Sequence, residues 1–321
     1  MSQLHVIFGT GPLGKHTATE LLKRGERVRL INRSGHADGL PSGAELVRGD
    51  ASNPEIARQL TAGASVVYQC AQPAYGRWAE EFPALQQSVL EAAAKTGARL
   101  VIADNLYMYG APNGVPLRED HPYNATTKKG RVRATLATAA LEAHRQGKLE
   151  VAILRGSNFF GPEDRVMFDL IFKPVLMGKS AQLLGRLDQP HTFTYAPDFG
   201  RALAAIGTSS TGFGRAWHVP SSAPVTQAEF LRILEGQLGG RAKRIVGSPL
   251  MLRLLGLFKP ELNETVEMMY EWMQPFVMDS SAFTEALGLH ATPLEAALRE
   301  TLHWARGQIA VPATQLTARG A

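Results

Sequence analysis

The feature that most constrains this chain is an apolar run, Val6-Ile7-Phe8, which meets Gly9-Thr10-Gly11-Pro12-Leu13-Gly14 and then an amphipathic stretch closing at Gly25. A short strand, a glycine-rich turn and a helix in that order form a pyrophosphate-binding site. Gly9 permits the tight turn, Gly11 lets backbone approach phosphate with no Cβ in the way, and Gly14 lets helix and strand pack closely. The helix N-terminus adds unpaired N–H groups and the positive end of the helix dipole. Thr17, Ala18, Leu21 and Leu22 recur at helical spacing, and Arg27-Val28-Arg29-Leu30-Ile31 alternates as a second strand. A dinucleotide is therefore expected across residues 9–14.

The end of the second strand bears on which dinucleotide. A carboxylate there would hydrogen-bond the ribose hydroxyls of NAD and repel the 2′-phosphate of NADP. This chain has Asn32-Arg33-Ser34 instead. A guanidinium able to fork onto phosphate, next to a hydroxyl donor, makes NADP (NADPH) the expected cofactor and NAD the less favoured one.

Strand signals fall near 4–8, 27–31, 45–47, 65–70, 99–103 and 151–154, alternating with helical stretches near 13–24, 54–61, 78–96 and 125–146. That alternation predicts an α/β fold, a doubly wound parallel sheet with helices on both faces. Gly25, Gly97 and Gly147 each follow a helical stretch, where a left-handed C-terminal cap is expected. Beyond about residue 160 the pattern loosens: a helix over 164–179, a strand over 190–196, a helix over 198–207 and a strand over 215–219. Helical signals then dominate, at 226–238, through the Leu-, Met- and aromatic-rich 248–275, and over 281–307. The expected division is a dinucleotide-binding domain over 1–163, to which 190–220 returns, a smaller helical substrate lobe from 164–189 and 221–308, and a flexible tail over 309–321.

Composition excludes several classes. The 321 residues are 45% hydrophobic, ample for a large core, and the net charge of +5 is dispersed. The densest basic cluster, Lys128-Lys129-Gly130-Arg131-Val132-Arg133, is short, so attraction to an anionic cofactor accounts for the charge and no nucleic-acid partner is expected. The single Cys70 rules out an internal disulfide and reads as a small hydrophobe in a strand. No run approaches the roughly 18 apolar residues of a membrane span, and no leader pattern precedes the first strand, so a cytoplasmic protein with no membrane partner is expected. The nine histidines lack ligand spacing, so no metal is expected.

Further strings lie in order along the chain: Gly49-Asp50-Ala51, Cys70-Ala71-Gln72, Tyr107-Met108-Tyr109-Gly110, Leu154-Arg155-Gly156-Ser157-Asn158-Phe159-Phe160-Gly161-Pro162, and Thr192-Phe193-Thr194-Tyr195-Ala196-Pro197-Asp198-Phe199. Together with the glycine motif they resemble the extended short-chain dehydrogenase/reductase family, which includes the NAD-dependent epimerases and dehydratases, over roughly residues 4 to 305. The resemblance implies that Asp50, with Ala51, contacts the adenine, that Ala71, Gln72 and Ser157 line the cofactor, and that a homodimer is possible. It also implies a Tyr and a Lys three residues apart for proton transfer, with a Ser or Thr upstream. This chain departs there: the Tyr position falls on Lys129, the Lys position on Arg133, and the Ser/Thr position on Asn105, preceded by Asp104.

Arg133 is expected to face the ribose, and Lys129 to donate a proton or stabilise an oxyanion. Tyr107, Asn158, His191 and Tyr195, with Trp217 and His218, are expected around the substrate between the lobes. Met167, Phe168, Met268, Met269, Tyr270, Trp272 and Met273 are candidate walls, which suits a small apolar substrate better than a nucleotide sugar. Three readings follow: an atypical NADP(H)-dependent oxidoreductase for a small, fairly apolar carbonyl; a nucleotide-sugar epimerase or dehydratase with bound NAD; and a non-catalytic NADP-binding sensor.

Overall fold

The computed structural model describes residues 2–258 and 261–309. Of the expected 309–321 tail, all but Ile309 lies outside the described residues. Seven strands form one parallel sheet: β1 (Leu4–Phe8), β2 (Arg27–Asn32), β3 (Glu45–Arg48), β4 (Val66–Gln69), β5 (Arg99–Asp104), β6 (Val151–Arg155) and β7 (Ala216–His218). Their spatial order is β7-β6-β5-β4-β1-β2-β3, and β1 lies between β2 and β4, with His5 beside Val28 and Val66. The chain reverses direction across the sheet between β1 and β4. In open parallel sheets ligands bind beyond the strand C-termini at such a reversal.

Strand alternation sorts the core into two layers. Val6, Phe8, Val67, Leu100, Ile102 and Ile153 point to one face, where helices α2 (Pro54–Leu60), α3 (Trp78–Thr96) and α4 (Lys128–Arg145) supply Ala57, Val89, Ala93, Ala137 and Ala140. Ile7, Leu30, Val66, Val101 and Leu154 point to the other, covered by α1 (Pro12–Lys23) and α5 (Ala196–Thr208) through Ala18, Leu21, Phe199, Leu203 and Ile206. Fully burying each Leu, Ile, Val or Phe contributes roughly 1.5–3 kcal/mol, so both faces reward the near-continuous apolar runs. Gly25, Gly97 and Gly147 all have positive φ at their helix ends, as their positions suggested.

A second core gathers Phe160, Phe168, Phe172, Leu183, Phe193, Tyr195, Phe230, Leu234, Leu298 and Leu302. Here packing differs from the linear division: Phe160, Phe193 and Tyr195 join this second core, whereas Phe283 packs beneath the sheet. Residues 164–179 are not one regular helix, because Phe168–Phe172 is wound as a π turn between Arg165–Met167 and Lys173–Leu176. Pro174, with no N–H to offer the ladder, lies just past the wide turn. The 190–196 strand is two short pieces, Pro190–His191 and Phe193–Tyr195. The 248–275 stretch contains three short helices, at Pro249–Gly256, Glu261–Val266 and Tyr270–Met273. Among the described residues no helix is long and apolar enough to cross a membrane.

Candidate active site

A cleft of about 640 Å³ opens at the C-terminal edge of the sheet, walled by Gly9 to Leu13, Asn32, Arg33, Asp50, Ala51, Ala71, Gln72, Asp104, Asn105, Arg133 and Phe159. The three glycines differ in what a side chain would meet. Gly9 has φ +110°, and a Cβ there would lie 2.7 Å from the Ala71 nitrogen. At Gly14 a Cβ would lie 2.0 Å from the Gly9 carbonyl oxygen, so this glycine stands behind the cleft wall and sets the strand–helix contact. A Cβ on Gly11 would meet nothing within 4 Å, which leaves open space at the loop. Gly11 caps α1 with no side-chain bond and Pro12 opens the helix, so the first-turn N–H groups remain available to an anion.

At the β2 end, the Asn32 amide donates to Thr10 Oγ1 at 2.8 Å, tying the second strand to the glycine loop. Ser34 donates to Asn32 Oδ1 and to the His36 carbonyl and is not on the cleft wall, so its hydroxyl holds the turn. Arg33 is exposed and on the wall. Opposite it, Asp50 accepts from Ser52 Oγ at 2.7 Å and from Ser52 N at 2.9 Å. Those bonds, chiefly the hydroxyl, hold its carboxyl below the usual range, with the Arg33 charge adding to the effect. Cys70 also sits here, half-buried, its thiol pushed up to about 12 by burial.

At the other end, Asp104 is held between two guanidiniums, Arg133 at 3.2 Å and Arg155 at 3.4 Å. Arg133 lies over the rings of Trp78 and Phe82 at 4.3 and 4.4 Å and donates to Gln72 Oε1 at 3.3 Å. Its buried Nε has no partner among the described residues. Arg133 thus faces the cleft, and burial lowers its affinity for its proton while Asp104 opposes that effect. Arg155 is fully enclosed and donates to the hydroxyls of Tyr109, at 2.6 Å, and Tyr123. Tyr109 in turn meets His218 at 2.8 Å, so His218 belongs to this buried network. Asn105 reaches the cleft wall and accepts from the Tyr107 backbone N–H at 3.1 Å.

Lys129 has a different post from the donor role expected of it. Its ammonium donates to Glu264 Oε2, to Glu267 Oε1 at 3.0 Å and to the Glu264 carbonyl at 3.4 Å, and rests 4.3 Å over the Tyr75 ring. All three N–H donors are occupied, which leaves none for an oxyanion in this arrangement. Glu267 also accepts from the backbone N–H groups of Lys128 and Lys129, capping the positive end of α4. Lys129 therefore ties the second lobe to the helix that carries Arg133.

Other expected residues divide. Asn158 and His191 meet at 2.7 Å, and the His191 ring stacks on Trp272 with centroids 4.2 Å apart. Tyr107 packs against Trp78, its hydroxyl 3.4 Å from that of Tyr75, with no contact to that pair among the described residues. Tyr195, by contrast, packs on Phe160 and donates to Glu300 at 2.6 Å, so it is a core residue of the second lobe. Trp217 packs on Phe283 beneath the sheet and donates to the Gly212 carbonyl. Ser157 lies behind the wall, its N–H bonded to Thr194 Oγ1 and its buried hydroxyl unpartnered among the described residues. Met268 and Met269 are buried, Phe276 and Tyr270 pack together, and Met273 is exposed.

Sequence reasoning missed Glu264, Glu267 and Glu271. Their i, i+3, i+7 spacing, one acidic stripe at helical period, was a readable signal. Glu271 is 2% exposed, with Oε1 unpartnered among the described residues. Burial pushes that carboxyl up to about 8. Among the described residues no cluster of three or more metal-ligating side chains occurs.

The model of the NAD dependent epimerase/dehydratase family matches residues 6–218. An uncharacterized protein of Sinorhizobium fredii is 24% identical over 77% of this chain, which spans 64% of that protein's length. A 3-diazoavenalumate denitrifying reductase of a Streptomyces species is 28% identical, over 79% of this chain and 84% of that protein. The mouse sterol-4-alpha-carboxylate 3-dehydrogenase is 26% identical over 72% of this chain and 67% of its own. Among solved structures, the fold is shared with the Thermotoga maritima UDP-glucose 4-epimerase (TM-score 0.80, 17% identity, 95% of this chain and 99% of that one). MoeE5 in complex with UDP-glucose and NAD shares it likewise, with a TM-score of 0.77 and 22% identity over 95% of this chain and 99% of that one.

Proposed function

The chain belongs to the NAD dependent epimerase/dehydratase family, and from that premise we propose that it is an NADP(H)-dependent oxidoreductase acting on a small, fairly apolar carbonyl compound. The observation that carries the reading is the long cleft from Gly9 to Arg133, with an exposed arginine, Arg33, at the end of β2 where a carboxylate would select NAD. A bound nicotinamide supplies the hydride. The chain's own part is to hold and orient: the loop N–H groups take the diphosphate, Arg33 takes the 2′-phosphate, and Arg133, stacked on Trp78 and pinned by Asp104, presents its guanidinium to the ribose hydroxyls.

The apolar part of the cleft wall, with Phe82, Leu85 and Phe159, favours a substrate of low polarity. The test is calorimetry with NADP+ and NAD+ on the wild type and on Arg33→Ala, followed by NADPH oxidation against a panel of aliphatic and aromatic aldehydes and ketones. Tighter NADP+ binding that the substitution abolishes, together with turnover of at least one carbonyl, is the expected result.

A second reading, an epimerase or dehydratase of a nucleotide sugar, is favoured by 28% identity to an Arabidopsis UDP-glucuronate 4-epimerase. It requires NAD+ that copurifies with the protein. A third, an NADP sensor, draws on the replacement of the family's Tyr and Lys by Lys129 and Arg133. It requires unequal affinity for NADP+ and NADPH and no oxidation of NADPH by any carbonyl.

A further inference from the structure

Outside the cleft, the second lobe carries an open apolar surface set among basic side chains. Between Glu235 and Glu261 the sequence has Arg241, Lys243, Arg244, Arg253 and Lys259 and no Asp or Glu, interleaved with leucines, Met251 and Phe258. We propose that this segment docks on an anionic lipid bilayer, with the apolar tips of residues 250–258 entering the acyl boundary and Arg241, Lys243, Arg244 and Arg253 meeting the headgroups. None of these residues is on the cleft wall, so the docking surface and the cofactor reading stand or fall separately.

The helix Pro249–Gly256 is apolar on two sides. Leu252 and Gly256, four residues apart, are buried and form its inward face. Leu250, Leu254 and Leu257 recur at i, i+4 and i+7 on the opposite side, and they are 66%, 56% and 77% exposed. The Leu257 N–H bonds the Leu254 carbonyl at 3.3 Å, which carries the turn past the helix end to Phe258, itself 87% exposed. A surface helix ordinarily turns polar side chains to solvent, so an outer stripe of leucines marks a face that is covered in use. The Ser248 hydroxyl oxygen accepts from the Met251 N–H at 3.2 Å and fixes the helix start. Just before it runs the strand Arg244–Gly247, which among the described residues pairs only with Ala181–Leu184, and its exposed Ile245 and Val246 extend the apolar area.

Charge and shape decide what covers this face. Arg241, Lys243, Arg244 and Arg253 are exposed, and none has an ion-pair or hydrogen-bond partner for its side chain among the described residues. The Ala181 N–H donates to the Lys243 carbonyl at 2.8 Å, which brings the exposed Lys179 to the same edge. Glu235, the acid that precedes the segment, is engaged by the Ala242 backbone N–H at 2.8 Å. A second copy seated across a two-fold axis would set these cations against their own counterparts, which like-charge repulsion opposes. Leu257 and Phe258 project almost clear of the fold, so a rigid protein partner would need a matching pocket, whereas a lipid layer closes around any projecting side chain. The lack of a spanning run led to the expectation of no membrane partner; a helix lying on the surface needs no such run, only apolar tips beside basic side chains.

The test is flotation of the full chain with vesicles of phosphatidylcholine alone and of equimolar phosphatidylcholine and phosphatidylglycerol, at low and at physiological salt. The wild type should bind the anionic vesicles, bind the neutral ones about 10-fold more weakly or less, and release as salt is raised. Arg241→Gln with Lys243→Gln and Arg244→Gln should weaken binding about 100-fold, and the uncharged pair Leu254→Gln with Phe258→Gln about 10-fold or more. Both variants should melt as the wild type does, because the replaced side chains are exposed. Arg27→Gln with Lys95→Gln and Lys148→Gln removes the same charge from exposed sites on the sheet domain and should leave binding within about threefold. An equal loss from that variant, or none from Leu254→Gln with Phe258→Gln, reduces the attraction to overall charge and overturns the proposal. No binding of the wild type to anionic vesicles at low salt overturns it outright; a dimer dissociated by the Leu254 and Phe258 substitutions would then give the face to a second copy.

Discussion

The two ends of the cleft are built in opposite ways. At the Gly9–Gly14 end the groups open to a ligand are backbone N–H groups at a helix start, and the residues matter mainly by having no side chain: Gly11 leaves open space where a Cβ would stand. At the Arg133 end the groups are side chains from distant segments, with Asp104 between Arg133 and Arg155, and Lys129 between Glu264 and Glu267. A glycine loop of this kind depends on local geometry, whereas charge-holding groups depend on how far-apart pieces of chain are brought together.

The sharpest way to break this contrast is at Asp104. Asp104→Ala leaves two buried guanidiniums facing each other without their shared anion, and should cost about 3–5 kcal/mol in urea unfolding. A loss below about 1 kcal/mol would mean that water or the Tyr109 and Tyr123 hydroxyls already satisfy both arginines.

Next come paired glycine substitutions. Gly14→Ala drives a methyl into the Gly9 carbonyl and should destabilise the fold by about 3 kcal/mol. Gly11→Ala meets no protein atom, so the melting temperature should stay unchanged while nucleotide affinity falls about 10–100-fold. Equal effects of the two on stability would contradict the division of roles between these glycines. Arg33→Ala should weaken NADP+ by about 10–100-fold, the worth of a charge-assisted bond, and leave NAD+ within about twofold. Parallel loss of both would show that Arg33 does not read the 2′-phosphate.

The contrast can also be tested through pH. Burial keeps His5 at about 4 and both His191 and His218 at about 3, against about 6.5 in the unfolded chain. Between those values the unfolded chain binds protons that the folded one refuses. The contribution is therefore intact above pH 6.5 and is lost as pH falls toward 4 and then 3, by up to ~1.4 kcal/mol per pH unit for each histidine. Glu271 runs the other way: the folded chain keeps its proton up to about 8 while the unfolded one releases it near 4.5, so its contribution is lost as pH rises through that window. Urea midpoints should peak near pH 6–7 and fall on both sides. A midpoint unchanged from pH 7 to 4 would show that the histidines are open to water.

Much of this was legible from the chain alone. The sheet strands, the helix over 78–96, the helix expected over 125–146 and found at 128–145, and the glycine loop follow from apolar period and punctuation, which act over a few residues. Arg133 was reachable by counting along a motif. Lys129 was reachable by the same count, but its role was not, because its partners are about 135 residues away. Tyr195 and Trp217 misled for a similar reason: an aromatic in a strand beside a cleft and an aromatic in a core have the same local sequence, and only packing separates them.

What the amino-acid order determined by itself was therefore the scaffold and the cradle: alternating apolar runs that must bury both faces of a parallel sheet, and glycines whose missing Cβ opens a helix start to an anion. What the folded chain alone decided was chemical character. Whether a lysine is a donor or a tie, and whether a glutamate holds its proton, depends on which charges and dipoles arrive from elsewhere and on how much water they displace. Those quantities are set by distances in space.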